Sequence, residues 1–132
     1  MFVTTIQPRF SETDAVGHIN NTVPPSWLEF GRTELFNLFF TGRNYTEWPL
    51  IVKTYTLTFE REMHYGEDVR IECSVSKIGR TSLVLKEQIF QGGELCLDGS
   101  VVYVHVGGDR RPAPIPADVI EKLKKHVGEG EQ

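Results

Sequence analysis

The chain has 132 residues and a net charge of −4, from 14 Lys and Arg against 18 Asp and Glu, and 39% of it is hydrophobic. That length and composition fit one soluble domain, residues 1–132, and exclude a disordered chain, a collagen-like repeat and a disulfide-dense miniprotein. The acidic balance argues against nucleic acid as a partner, although a few placed arginines can still serve a small anion.

Met1 to Thr5 lacks the charged start and long apolar run of a signal peptide. Phe2 to Phe10 reads as a short strand and Ser11 to Asn21 as a polar loop. From Ser26 to Phe40 the period turns helical. Trp27, Leu28, Phe30, Leu35, Phe36, Leu38, Phe39 and Phe40 leave only a polar strip of Glu29, Arg32, Thr33, Glu34 and Asn37, the pattern of a buried helix. Gly31 in its middle costs about 1 kcal/mol relative to Ala, which close approach to another backbone would offset. Glu29 and Arg32, three apart, are expected to pair along the helix. Thr41-Gly42 supplies a stop, and the apolar run Leu35 to Phe40 is too short to cross a bilayer.

Beyond the helix the period becomes 2. Tyr55, Leu57 and Phe59 alternate with threonines, Val69, Ile71, Cys73 and Val75 with polar residues, and Leu83, Leu85 and Ile89 share a face. Leu95 to Val106 forms the last strand; its stretch Val101 to Val106 is apolar on both faces, so cover on both sides is expected. Turn signals at Tyr65-Gly66-Glu67-Asp68, Ile78-Gly79-Arg80-Thr81 and Gln91-Gly92-Gly93 imply an antiparallel meander. Pro112, Pro114 and Pro116 mark a linker, Ala117 to Val127 a surface helix, and Gly128 to Gln132 a frayed tail. The result is an α+β architecture: a curled antiparallel sheet wrapped around one long buried helix, with an open edge that favours a homo-oligomer. Cys73 and Cys96 fit no close-spaced metal or redox motif and read as reduced core residues in a cytoplasmic protein. His64, His105 and His126 are too scattered for a metal site, and none is assigned.

The segment Phe10 to Asn21 carries two carboxylates, a histidine, two asparagines and a glycine just before the helix, whereas a plain helix entry needs only one capping residue. Pro24-Pro25 fixes that entry, because proline is tolerated only in the first helical turn. The Asn21 to Val23 amides then surround an open helix end, where free N–H groups suit a carboxylate or a developing oxyanion.

The stretch Asp14-x-x-Gly17-His18-Ile19-Asn20-Asn21 before a buried helix resembles the hot-dog-fold acyl-CoA thioesterases of the 4-hydroxybenzoyl-CoA thioesterase type. The turn Ile78-Gly79-Arg80-Thr81-Ser82, the closing Arg110-Arg111-Pro112 and the order strand, helix, four strands are similar too, over nearly the whole chain. The resemblance implies that Asp14 is the catalytic carboxylate, as nucleophile or as base toward water, and that the Asn21 N–H polarises the thioester carbonyl. It implies that His18 belongs to the catalytic loop, that Gly17, Asn20 and Thr22 line the substrate, and that Arg80, Thr81 and Ser82 contact the nucleotide end of coenzyme A. It further implies an active site between protomers of a dimer or tetramer, an acyl-CoA or acyl-carrier-protein thioester as substrate, and no cofactor beyond the coenzyme A that arrives with the substrate. Relatives usually carry an aromatic residue where this chain has Pro24.

Plainer roles stand beside these: Asp14 as a simple turn cap, and His18 as a loop-ordering residue bonded to backbone. Glu12 is either solvated or a loop hydrogen-bonder, and Arg80, Arg110 and Arg111 are either surface charges or phosphate contacts. Trp48, Tyr45 and Tyr65 most simply pack under loops. A non-catalytic acyl-thioester binder, motivated by Pro24-Pro25, competes with the enzyme; a hot-dog dehydratase or hydratase is the weaker third reading.

Overall fold

The computed structural model describes residues 1–40 and 48–128. Five antiparallel strands, β1 (Phe2–Ile6), β2 (Leu50–Phe59), β3 (Val69–Ile78), β4 (Ser82–Gln91) and β5 (Glu94–His105), form one sheet in the order β1-β3-β4-β5-β2. The expected meander therefore holds only for β3, β4 and β5. β2 does not pair with β3 but crosses to the far side of β5, with Leu50 opposite His105 and Phe59 opposite Leu97. The β4–β5 hairpin closes through Gly92 (φ 61°) and Gly93 (φ 78°), two successive left-handed residues that match the twist of the strands they join.

Alternation sends Val69, Ile71, Cys73 and Val75 of β3, Leu83, Leu85, Glu87 and Ile89 of β4, and Val101 and Tyr103 of β5 to the inner face, where all are buried. On that face lie α1 (Pro24–Gly31) and α2 (Thr33–Phe39). Leu28 and Leu35, both fully buried, anchor them, each contributing about 1.5–3 kcal/mol of apolar burial.

The single long helix of the sequence reading is interrupted at Arg32, whose ψ of 0° separates the two segments. The approach that Gly31 permits is to a side chain rather than a backbone: a Cβ there would stand 2.9 Å from Ile71 Cγ2. Phe30, expected in the core, is exposed. The outer face of β5 is only half covered, since Val102 and Val104 are half-buried while Val101, Tyr103 and His105 are buried. Cover on both sides is thus not met within one chain.

α3 (Ala117–Lys124) buries Val119 and Leu123 against the core, and both cysteines are free and buried. The Thr41-Gly42 stop, Tyr45 and the tail beyond Gly128 lie outside the described residues.

Candidate active site

The loop after β1 is built by its own polar groups. A single 3-10 turn, Phe10–Glu12, is closed by the Arg9 N–H donating to Glu12 Oε1 at 2.7 Å. Glu12 Oε2 then accepts from Nε1 of the buried Trp27 at 2.9 Å, which ties the loop to α1. Glu12 is therefore a loop hydrogen-bonder, and its anchor is a helix residue that spacing alone did not reveal.

Asp14 Oδ1 accepts from the Val16 and His18 amides at 2.9 and 3.1 Å, and the Asp14 N–H donates to the His18 carbonyl at 2.7 Å. Gly17 makes this tight reversal feasible at φ 84°, a left-handed conformation that a side chain would strain. Asp14 itself is exposed, and its second oxygen accepts no hydrogen bond among the described residues, so it is available to a substrate.

At the head of α1, Asn20 Oδ1 accepts from both the amide and the hydroxyl of Thr22 at 2.9 and 2.8 Å, and the Val23 amide donates to the Asn20 carbonyl. Asn20 and Thr22 thus order the turn. Pro24 and Pro25 occupy the first two helical positions, where a missing N–H is no loss. Ser26 and Trp27 donate to the Val23 carbonyl. Among the described residues, the Asn21 N–H alone in this stretch has no acceptor. A free donor at the positive end of a helix is the element that oxyanion stabilisation asks for.

Asp14 and Asn21 line one cleft of about 340 Å³, together with His18, Pro24, Phe59 and Met63. His18 Nδ1 lies 3.1 Å from Glu62 Oε2, and its ring meets His64 edge-on at 4.8 Å. A carboxylate at Nδ1 holds the proton there and leaves Nε2 as the basic nitrogen. Glu62 and Met63, whose carbonyl accepts from Ile19 N–H at 2.8 Å, escaped the sequence reading because they come from the distant β2–β3 connection.

Arg80, Thr81 and Ser82 do not join this cleft within one chain. They form the β3–β4 turn, held by Gly79 N–H on the Ser82 carbonyl (2.8 Å) and Ile115 N–H on the Arg80 carbonyl (2.9 Å). The Asp14 loop sits where β3 starts, so the ten residues of β3 separate the two groups by about 30 Å.

Beneath the helix break lies a buried polar cluster. Arg32 Nε and Nη2 both donate to Glu87 Oε1 at 3.0 and 2.6 Å, Nη1 donates to the Tyr103 hydroxyl at 3.0 Å, and Nη2 to the Tyr55 hydroxyl at 2.8 Å. Arg32 therefore pairs with Glu87, not with Glu29 as helix spacing suggested. Burial opposes charge on Arg32, but Glu87 overrides it and the guanidinium stays protonated. Burial pushes the Tyr103 hydroxyl up to about 12, with Arg32 offsetting part of the rise. The detectable signal in the sequence was Glu87 itself, a charge on the apolar face between Leu85 and Ile89.

No three His, Cys, Asp or Glu side chains converge as metal ligands among the described residues, and no described helix is long and apolar enough to cross a membrane. Residues 8–123 match the family model of the thioesterase-like superfamily. A predicted thioesterase from Bacillus stearothermophilus superposes with a TM-score of 0.92 at 44% identity, covering 96% of each chain. A thioesterase from Thermus thermophilus, complexed with coenzyme A and Zn, gives 0.83 at 26% identity over 92% of this chain and 96% of that one. A 4-hydroxybenzoyl CoA thioesterase complexed with 4-hydroxybenzoyl CoA shares the fold, with a TM-score of 0.79 at 17% identity over 92% and 96%. By sequence across 8–123 and by its curled sheet around a central helix, the chain belongs to the thioesterase-like superfamily of hot-dog-fold thioester hydrolases.

Proposed function

We propose that the protein hydrolyses an acyl-CoA or acyl-carrier-protein thioester, with Asp14 and the Asn21 N–H acting on opposite sides of the scissile carbonyl. The observation that carries this reading is that Asp14, with one carboxylate oxygen unbonded, and Asn21, whose amide has no acceptor among the described residues, line the same cleft. In one route Asp14 attacks the carbonyl carbon, the oxyanion is held by Asn21 N–H, and the carbon–sulfur bond breaks to release the thiolate. Water then cleaves the mixed anhydride, returning the acid and the carboxylate. In the other, Asp14 takes a proton from the water that attacks. His18, with Glu62 holding its Nδ1 proton, offers Nε2 as a nearby proton acceptor. No step calls for a metal or further cofactor.

A second copy completes the site. β2 is an edge strand with exposed Ile51, Val52 and Phe59, and Phe30 stands exposed nearby. Antiparallel pairing of two β2 edges brings the Leu50 end of one chain to the Phe59 end of the other, and with it Arg80 of the partner subunit toward Asp14. Coenzyme A phosphates would then lie on the partner's Arg80, Thr81 and Ser82 turn. Free, buried thiols at Cys73 and Cys96 suit a cytoplasmic setting.

Thiol release from a panel of acyl-CoAs, with Asp14→Asn beside the wild type, tests the reading. Asn keeps the Oδ1 acceptor for the Val16 and His18 amides, so the loop stays folded; turnover should fall by about 10²–10⁴. A variant as fast as the wild type refutes it, as does a wild type that binds acyl-CoA saturably without turnover.

A further inference from the structure

A second groove of about 480 Å³, of mixed polarity, runs along the same helix–β2 seam. Its helical wall is the stripe Ser26, Phe30, Thr33 and Phe36 with the Glu29 carboxylate among them, and its other wall is Trp48, Leu50 and Val52. The stripe begins two residues beyond Pro24 of the reaction cleft and ends about 15 Å further on, at 1.5 Å per residue. There the Trp48 indole closes on Phe36, ring centroids 4.9 Å apart and nearly perpendicular, and on Phe40 at 4.5 Å. An acyl chain whose carbonyl meets the Asn21 N–H would lie in this groove with its far end against Trp48.

What fixes Trp48 comes from another loop. Arg110 Nη1 donates to the Trp48 carbonyl at 2.7 Å. Arg110 is the one non-glycine residue with positive φ among those described, at 65°. L-residues adopt that conformation only at a cost, and such strain collects where a structure holds a group in place. The loop around it is closed on itself: Gly107 N–H donates to the Arg111 carbonyl, Arg110 N–H to the Gly107 carbonyl and Arg111 N–H to Asp109 Oδ1, all within 3.0 Å. Next door, Val106 N–H donates to the Pro49 carbonyl at 2.8 Å, so both residues at the mouth of β2 are gripped from this side.

We propose that Trp48 is the end wall that sets the acyl length this enzyme accepts, and that Arg110 is the positioning residue that holds it there. The inference rests on the thioesterase reading and deepens it.

Three variants test it: Trp48→Leu, Arg110→Gly and the double. Glycine adopts φ 65° freely, so Arg110→Gly removes the guanidinium while relaxing the loop. With acetyl-, hexanoyl-, decanoyl-, tetradecanoyl-, hexadecanoyl- and benzoyl-CoA, Trp48→Leu should raise kcat/KM for the longest acyl groups relative to the shortest by about tenfold or more, the low end of what one methylene is worth in an apolar pocket. Arg110→Gly should shift the profile the same way through KM, with kcat on acetyl-CoA unchanged, and should add nothing in the Trp48→Leu background. An unchanged length profile in either single variant overturns the proposal. So does a KM rise equal for every acyl group in Arg110→Gly, which would make Arg110 a phosphate contact.

A readout independent of turnover keeps the two readings apart. Trp27 is buried, so acrylamide quenching reports chiefly on Trp48, and the quenching constant should rise in Arg110→Gly. No rise overturns the clamp whether or not the wild type is active; a wild type inactive on every acyl-CoA and acyl-carrier-protein thioester sinks the thioesterase reading instead.

Discussion

Replacing Glu87 by Ala would leave the Arg32 guanidinium, 2% exposed, with only the Tyr55 and Tyr103 hydroxyls as acceptors. Both hydroxyls are neutral, since burial pushes each phenol above its ordinary range. Stranding a buried charge in this way costs about 3–5 kcal/mol. For a domain of this size each kcal/mol lowers Tm by about 3–4 °C, so Glu87→Ala should melt about 9–20 °C below the wild type. Removing both charges with Arg32→Met and Glu87→Leu together should cost far less, because an apolar pair of similar volume replaces a pair whose desolvation cancels most of its attraction. Urea unfolding of the wild type, Arg32→Met, Glu87→Leu and the double, at one protein concentration because the chain is expected to associate, gives the coupling directly. A Glu87→Ala cost below about 1 kcal/mol, or singles whose costs simply add in the double, would refute the argument that this pair pins the helix break to the sheet.

Gly31→Ala should destabilise by about 1–3 kcal/mol, despite the better helix former, because the added methyl meets the immobile Ile71 side chain; an unchanged urea midpoint would contradict this. His126 stacks on Phe2 at 3.9 Å and faces the Met1 amine at 3.2 Å. Burial first, then that amine, pull its imidazole below its ordinary value, with Lys125 acting the same way and Glu34 opposing. The unfolded chain therefore takes up this proton first. Stability is full above the unfolded value and is lost as pH falls below about 6.5 toward the folded one. The fall in urea midpoint between about pH 7.5 and about pH 5.5 should shrink in His126→Gln; an equal fall in both proteins would place the titration elsewhere.

Periodicity is a local property, and it located β3, β4 and the helical stretch because each buries one face, whereas β2, with only Leu50 buried, showed the alternation without the burial. The Asp14 loop was legible for a similar reason: its hydrogen bonds run between residues two to four apart, from Asp14 to Val16 and His18 and from Asn20 to Thr22. The helix entry that leaves the Asn21 amide free follows from two adjacent prolines, also a local fact. What depends on partners far along the chain was not legible. β3 and β5 both offer an edge to β2, and only the packed sheet decides for β5. Arg32 had a carboxylate three residues away at Glu29, yet it turns inward to Glu87, 55 positions on, because a charge on the inner face of β4 demands a partner there. Glu62 beside His18, and Arg110 holding Trp48 across 62 positions, are distant partners too, though at the surface rather than in the core. Neighbouring residues satisfy one another in ways that spacing reveals, while a polar group left over finds its distant partner only when folding brings the two together.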